Sequence, residues 1–135
     1  MEKVIIYTDG GARGNPGPAG IGAAIYNEHK KLITEVSEYI GVATNNQAEY
    51  KALVAAFRKA AELGAKELEC YLDSELVVKQ LKGEYRVKDQ DLAKLFLNIH
   101  NLSLSFKHIT YTHIPRERNK EADRLANEAM DRGTR

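Results

Sequence analysis

Tryptophan is absent from this chain, cysteine occurs once, proline three times, and net charge is almost nil, with 20 Lys and Arg against 19 Asp and Glu over 135 residues. Each shortage excludes something. The lone Cys70 cannot close an internal disulfide, and without a CxxC pair or paired Cys/His spacing there is no zinc-finger-type site. Cys70 lies in the apolar run "ELECYL", where a buried core thiol is expected rather than a nucleophile. No apolar stretch approaches the roughly 20 residues of a membrane span, and no segment has the charged, apolar, small-residue order of a signal peptide. A reducing, cytoplasmic setting without membrane contact is therefore expected. Near-neutral charge gives no overall electrostatic footprint for nucleic acid. Its distribution is less even: residues 1–75 carry 8 basic and 11 acidic side chains, residues 76–135 carry 12 and 8. That asymmetry suits a basic groove fed from the C-terminal half, and equally suits ordinary solvated helix faces.

What is present is enough for one domain, a core of this size folding without disulfides or structural metal. No repeat, linker or low-complexity tract interrupts residues 1–135, so one continuous domain is expected, and a monomer is the default expectation for it. "KVIIYT" (3–8) reads as a buried strand, and 20–40 as two strands meeting at a polar turn around 27–31. Residues 45–64 form a strong helix, with Asn45 in the N-cap position and Gly64 as its stop. A strand over 66–72, helices over 74–83 and 90–102, a strand over 105–114 and a terminal helix over 119–132 complete the order βββαβααβα. This is an α/β arrangement with a mixed sheet, three antiparallel strands followed by strands reached through helical crossovers.

The glycine-rich stretch "DGGARGNPGPAG" after the first strand raises the possibility of a phosphate cradle. Spacing and context reject it. Neither G-x-G-x-x-G nor G-x-x-x-x-G-K-[ST] occurs, and a strand follows the loop where both fingerprints require a helix. The aspartate in front of the glycines fits a role better. Asp9 is expected just past one buried strand and Asp73 in the same relation to another, and functional groups of open α/β sheets gather at such carboxyl ends. Glu49 falls inside the apolar stripe Ala52, Leu53, Ala56, Phe57, Ala60 and Leu63, where a helix-dipole role gives no reason for it to face the sheet. Asp123, on the shoulder of a second stripe, is the weakest of the four by pattern. Clustered carboxylates repel one another unless a divalent cation is present, and all-oxygen ligands select hard ions such as Mg²⁺ or Mn²⁺. Two such ions are the machinery of phosphodiester hydrolysis.

Four ordered blocks, "YTDGGARGNPGPAG", "TNNQAEYKAL", "YLDSELVVKQL" and "HIPRERNKEADRLAN", resemble the signature blocks of type 1 ribonuclease H, across nearly the whole chain. The resemblance implies a ribonuclease H-like fold, a five-stranded mixed sheet with helices on both faces. It implies that Asp9, Glu49, Asp73 and Asp123 are an acidic tetrad holding two Mg²⁺ ions, with Mn²⁺ as a substitute. The implied activity is endonucleolytic cleavage of RNA in an RNA/DNA hybrid, leaving 5′-phosphate and 3′-hydroxyl ends, with double-stranded RNA as an alternative substrate and a non-catalytic hybrid-binding module as the rival reading. Backbone groups at Gly10 and Gly11 and the side chains of Asn15, Asn45, Asn46 and Gln47 match positions that line the minor groove of the hybrid and read 2′-hydroxyls, and Arg13 is expected as a phosphate contact.

Two departures narrow the resemblance. Many members carry an inserted basic helix that grips the DNA strand. The corresponding "KQLKGEYRVKDQD" is short here, as in a compact subgroup, and Glu84, Asp89 and Asp91 dilute the charge of Lys82, Arg86 and Lys88. The mobile histidine that assists product release in many members has no clear counterpart, because His113 stands at a strand end instead of in a glycine-rich loop. Arg116 is the preferred auxiliary residue and His113 the second choice.

Overall fold

The computed structural model describes residues 1–135. Its elements run β1 (Lys3–Ala12), β2 (Gly17–Asn27), β3 (Leu32–Ala43), α1 (Asn45–Glu62), β4 (Glu67–Leu72), α2 (Glu75–Leu81), α3 (Gln90–Ser103), β5 (His108–His113), a 3-10 turn (Arg116–Arg118) and α4 (Lys120–Gly133). The five strands form one sheet in the order β3-β2-β1-β4-β5. β1, β2 and β3 are antiparallel neighbours, whereas β1–β4 and β4–β5 are parallel. The expected α/β order and mixed sheet are therefore what the chain adopts. No helix is long and apolar enough to cross a membrane.

Alternation along the strands decides which helix covers which face. Val4, Ile6 and Thr8 of β1 stand level with Leu68, Cys70 and Leu72 of β4, and all six are buried on the face that α1 covers. From α1, Tyr50, Leu53 and Phe57 enter that layer, and α3 closes it from outside. Phe57 meets Phe106 edge-on at 5.9 Å between ring centroids. The opposite face is covered mainly over β2 and β3, by α4. On that face Tyr7, Tyr26 and Tyr71 remain half-exposed, Tyr7 stacking on Tyr71 at 5.0 Å.

Two local expectations need correction. β1 does not end at Thr8. It continues through Asp9, Gly10, Gly11 and Ala12, which pair with Gly22, Ile21, Gly20 and Ala19 of β2, and Arg13 N–H closes the hairpin on Pro18 O at 2.8 Å. Asp9 is thus a strand residue, not one just past a strand, and Gly10 and Gly11 lengthen the strand instead of following it. Nor is Asn45 the N-cap of α1. Thr44 is, because T-x-x-Q supplies both halves of a capping box: Thr44 Oγ1 accepts from Gln47 N–H at 3.1 Å and Gln47 Oε1 from Thr44 N–H at 2.9 Å. Freed from capping, Asn45 accepts Ala12 N–H through Oδ1 at 2.8 Å and donates its own N–H to Asn15 Oδ1 at 3.0 Å. The start of α1 is thereby tied to the end of β1. Gly64 stops α1 as expected, with φ of 75°.

Candidate active site

Three elements converge where β4 ends beside the middle of β1. Asp9 lies in the last third of β1, Asp73 directly follows β4, and Glu49 sits in the second turn of α1 on its buried side. One ligand oxygen from each lies within 4.8 Å of the others. Two glycines permit this. A Cβ on Gly10 would collide with the Ala48 carbonyl and come within 2.6 Å of Glu49 N, so the side-chain-free strand lets α1 approach. Gly22, opposite Asp9 in register, likewise leaves no room for a Cβ beneath the Ala122 carbonyl, 2.7 Å from Ala126 N. That contact seats the first turn of α4 over Asp9 and brings Asp123 to the same cleft.

Burial sets the electrostatics. Asp9 is 8% exposed and Glu49 7%. The single N–H of Gly10 serves both, reaching Asp9 Oδ1 at 2.9 Å and Glu49 Oε1 at 3.4 Å, while Glu49 Oε2 is buried without any partner. Loss of solvent, with the neighbouring Asp73 charge second, raises Asp9 to about 7. Burial, then the Asp9 charge, holds Glu49 well above the ordinary carboxylate range. A divalent cation would resolve both the repulsion and the orphaned oxygen, so an all-oxygen donor set of this kind fits a hard metal ion.

The other expected residues divide. Gly10, Gly11, Arg13, Asn45, Asn46 and Arg116 line the cleft, of about 450 Å³, together with the four carboxylates. Asn15 and Gln47 line an adjoining hollow that shares Asn45 and Asn46 with it. Arg13 is engaged by Asp131 at 2.6 Å at the cleft mouth. His113 does not line the cleft; its Nδ1 stands 4.0 Å from Oε2 of Glu75, the first residue of α2. Of the two auxiliary candidates, geometry places only Arg116 beside the carboxylates.

Sequence reasoning passed over Asn119. It is 1% exposed and its Nδ2 donates to Thr8 O at 2.8 Å and to Asp73 Oδ2 at 3.1 Å. An asparagine before a helix reads as an N-cap, and Asn119 does occupy that position, but its side chain makes no capping bond. Nothing in the local pattern signals that it turns inward. Asn127, one turn beyond Asp123, was passed over as well, and it donates to Asp123 Oδ1 at 3.2 Å.

A 3-2-1-4-5 mixed sheet with buried Asp9 on β1 and half-buried Asp73 just past the adjacent parallel strand β4, joined by Glu49 of α1, defines the ribonuclease H-like class. Residues 7–129 match the family model described as reverse transcriptase-like. The bifunctional protein Rv2228c of Mycobacterium tuberculosis is 49% identical over 96% of this chain, which spans 36% of that protein. Ribonuclease HI of Halobacterium salinarum is 44% identical over 96% of this chain and 65% of its own length. The chain thus spans about a third to two thirds of these curated relatives. A crystal structure of LC11-RNase H1 in complex with an RNA/DNA hybrid is 46% identical, with a TM-score of 0.93 over 98% of this chain and 99% of that one. The chain belongs to the ribonuclease HI family.

Proposed function

We propose that this protein is a metal-dependent endonuclease that hydrolyses the RNA strand of RNA/DNA hybrids, leaving 5′-phosphate and 3′-hydroxyl ends. The observation that carries the reading is the Asp9–Glu49–Asp73 cluster, Asp9 and Glu49 buried, with Asp123 on the same cleft. The hybrid bound to LC11-RNase H1 supports the substrate class. Residues 1–135 would act as one ribonuclease H-like domain, monomeric and cytoplasmic.

Asp9, Glu49, Asp73 and Asp123 would hold two Mg²⁺ ions, or Mn²⁺ in their place. When bound, such a pair supplies an activated water and charge stabilisation for the leaving oxygen. The protein's own residues do the rest. The shared Gly10 N–H fixes Asp9 and Glu49 relative to each other, and Asn127 fixes Asp123. Gly11 presents side-chain-free backbone at the cleft floor. Asn45 and Asn46, with Asn15 and Gln47 in the adjoining hollow, offer amide groups to 2′-hydroxyls, the groups by which RNA differs from DNA. Arg13 meets a phosphate after exchanging its partner Asp131 for it. Arg116, exposed at the cleft rim, assists at the departing strand in preference to His113.

The test uses labelled RNA/DNA hybrid, double-stranded RNA and double-stranded DNA, each with Mg²⁺, Mn²⁺ or EDTA, beside Asp73→Asn. Hybrid cleavage that needs metal and Asp73 is expected. Cleavage persisting in EDTA sinks the metal mechanism, and binding without cleavage leaves a hybrid-binding module.

A further inference from the structure

We infer that Asn119 is a positioning residue that locks three of the four site carboxylates into one arrangement, acting on Asp73 directly and on Asp9 and Asp123 through the backbone. Its place in the chain makes this possible. The 3-10 turn ends at Arg118 and α4 begins at Lys120, so Asn119 is the joint between the β5 crossover and the helix that carries Asp123. Its carbonyl accepts the N–H of Asp123 at 3.1 Å. Its side chain reaches the sheet, where one amide group donates to Thr8 O, the carbonyl of the residue before Asp9, and to Asp73 Oδ2. One residue therefore touches the strand bearing Asp9, the carboxylate of Asp73 and the backbone of Asp123.

The amide orientation follows from its partners. Turning it over would face Oδ1 towards a carbonyl and a carboxylate oxygen, two acceptors that it could not satisfy. In the orientation adopted, Oδ1 is buried with no partner. A residue kept only for packing or for starting α4 would be poorly chosen. It forgoes the capping bond that its position invites and leaves a buried carbonyl unpaired, while using both donors on the site. A carboxylate that accepts a fixed hydrogen bond at one oxygen is held in one rotation, with the other oxygen left for a ligand.

The inference rests on the cleft being a metal site, but its test separates the two. Mn²⁺ affinity is measured without substrate for wild type, Asn119→Ala, Asn119→Leu, Asp73→Asn and the Asn119→Ala/Asp73→Asn double variant. Melting temperatures are taken in EDTA for the same set. Asn119→Leu keeps about the same side-chain size and carries neither donor nor charge, so it reports on the hydrogen bond if the alanine variant folds poorly. Expected results are a loss of Mn²⁺ affinity of about 10- to 100-fold for both single Asn119 variants. KM for hybrid should stay unchanged while kcat falls. In the Asp73→Asn background the Asn119 substitution should cost much less, in Mn²⁺ affinity and in Tm alike, because the group it acts on has already changed. Wild-type affinity in Asn119→Leu, or strictly additive Tm losses in the double variant, overturns the inference. If wild type binds no Mn²⁺ or cleaves no hybrid, the proposed activity fails, and the Tm cycle alone still decides for or against Asn119.

Discussion

The layer between α1 and the sheet and the cleft at the sheet's end are built from the same strands and the same helix, yet their polar groups are treated oppositely. In the layer, Tyr50 Oη donates to Gln80 Oε1 at 2.6 Å, and the surrounding side chains are Leu53, Ala56, Phe57, Leu68 and Leu72, all buried. At the cleft, Asp9 and Glu49 are buried carboxylates. The buried side-chain atoms without a hydrogen-bond partner, Thr8 Oγ1, Glu49 Oε2 and Asn119 Oδ1, all belong to this end of the sheet. One region supplies stability and the other consumes it. Departure from good packing at one spot of an otherwise consistent structure is where function is expected. Substitutions in the two regions should therefore move stability and activity in opposite senses.

The largest effect is expected from Asp9→Asn. Removing one preorganised donor at a reacting centre costs about 10²–10³ in kcat, and loss of a carboxylate that would hold the metal should reach at least that. Steady-state cleavage of hybrid measures it. In the same variant, Tm in EDTA at about pH 8 should rise, since the substitution removes a buried charge that burial and Asp73 both disfavour. The converse is Phe57→Ala. Truncating this buried ring, packed on Phe106 and Tyr111, should cost about 3–5 kcal/mol in denaturant unfolding while leaving activity per folded molecule intact. A loss of stability in Asp9→Asn would undo the contrast.

Proton linkage sharpens the same comparison. The pKa of Asp9 stands at about 7 in the fold against 3.8 for the free side chain, so the folded state holds a proton that the unfolded chain releases. The stability this contributes is complete below about pH 4 and is lost as pH rises through about 7. Metal-free protein should thus melt lower at about pH 8 than at about pH 5, and Asp9→Asn should flatten that slope. Mg²⁺ competes with the proton, so the Tm gained on adding it should grow with pH. At a hundredfold excess over Kd the gain is about 2.7 kcal/mol. Calorimetry with and without Mg²⁺ at the two pH values checks both signs.

How much of this was legible beforehand depended on whether a residue's role was local. Glu49 announced itself because a carboxylate inside an apolar stripe has no cheap alternative. The element order and the mixed sheet followed from alternation and from the helical crossovers, whereas the strand order that sets Asp9 beside Asp73 emerged only from the fold. The end of β1 did not, since "DGGA" carries no strand propensity and pairs only because β2 runs alongside it. Thr44 was hidden by two asparagines that are better caps in isolation, although T-x-x-Q was there to be read. Asn119 could not be found at all. Its function lies in contacts with residues 111 and 46 positions away, and no periodicity encodes such distances. Asp123 was weak by pattern for a related reason: the glycine that admits it, Gly22, is a hundred residues earlier.

The smallest predicted effect concerns the exposed loop after α2, which belongs to neither region. Lys82, Arg86 and Lys88 are all exposed there, and Glu84 and Asp89 stand among them. Each phosphate neutralised by a protein cation steepens the dependence of log K on log salt by about 0.9. Replacing the three cations by alanine should therefore flatten the slope for hybrid binding by less than the roughly 2.7 that three full contacts would contribute. It should leave kcat at saturating substrate unchanged, because none of the three lines the cleft. Family members with the inserted basic helix should bind hybrid more tightly at low salt and lose that advantage faster as salt rises. Equal slopes for this protein and such a member, titrated side by side, would show that the short loop grips the DNA strand as fully as the longer one.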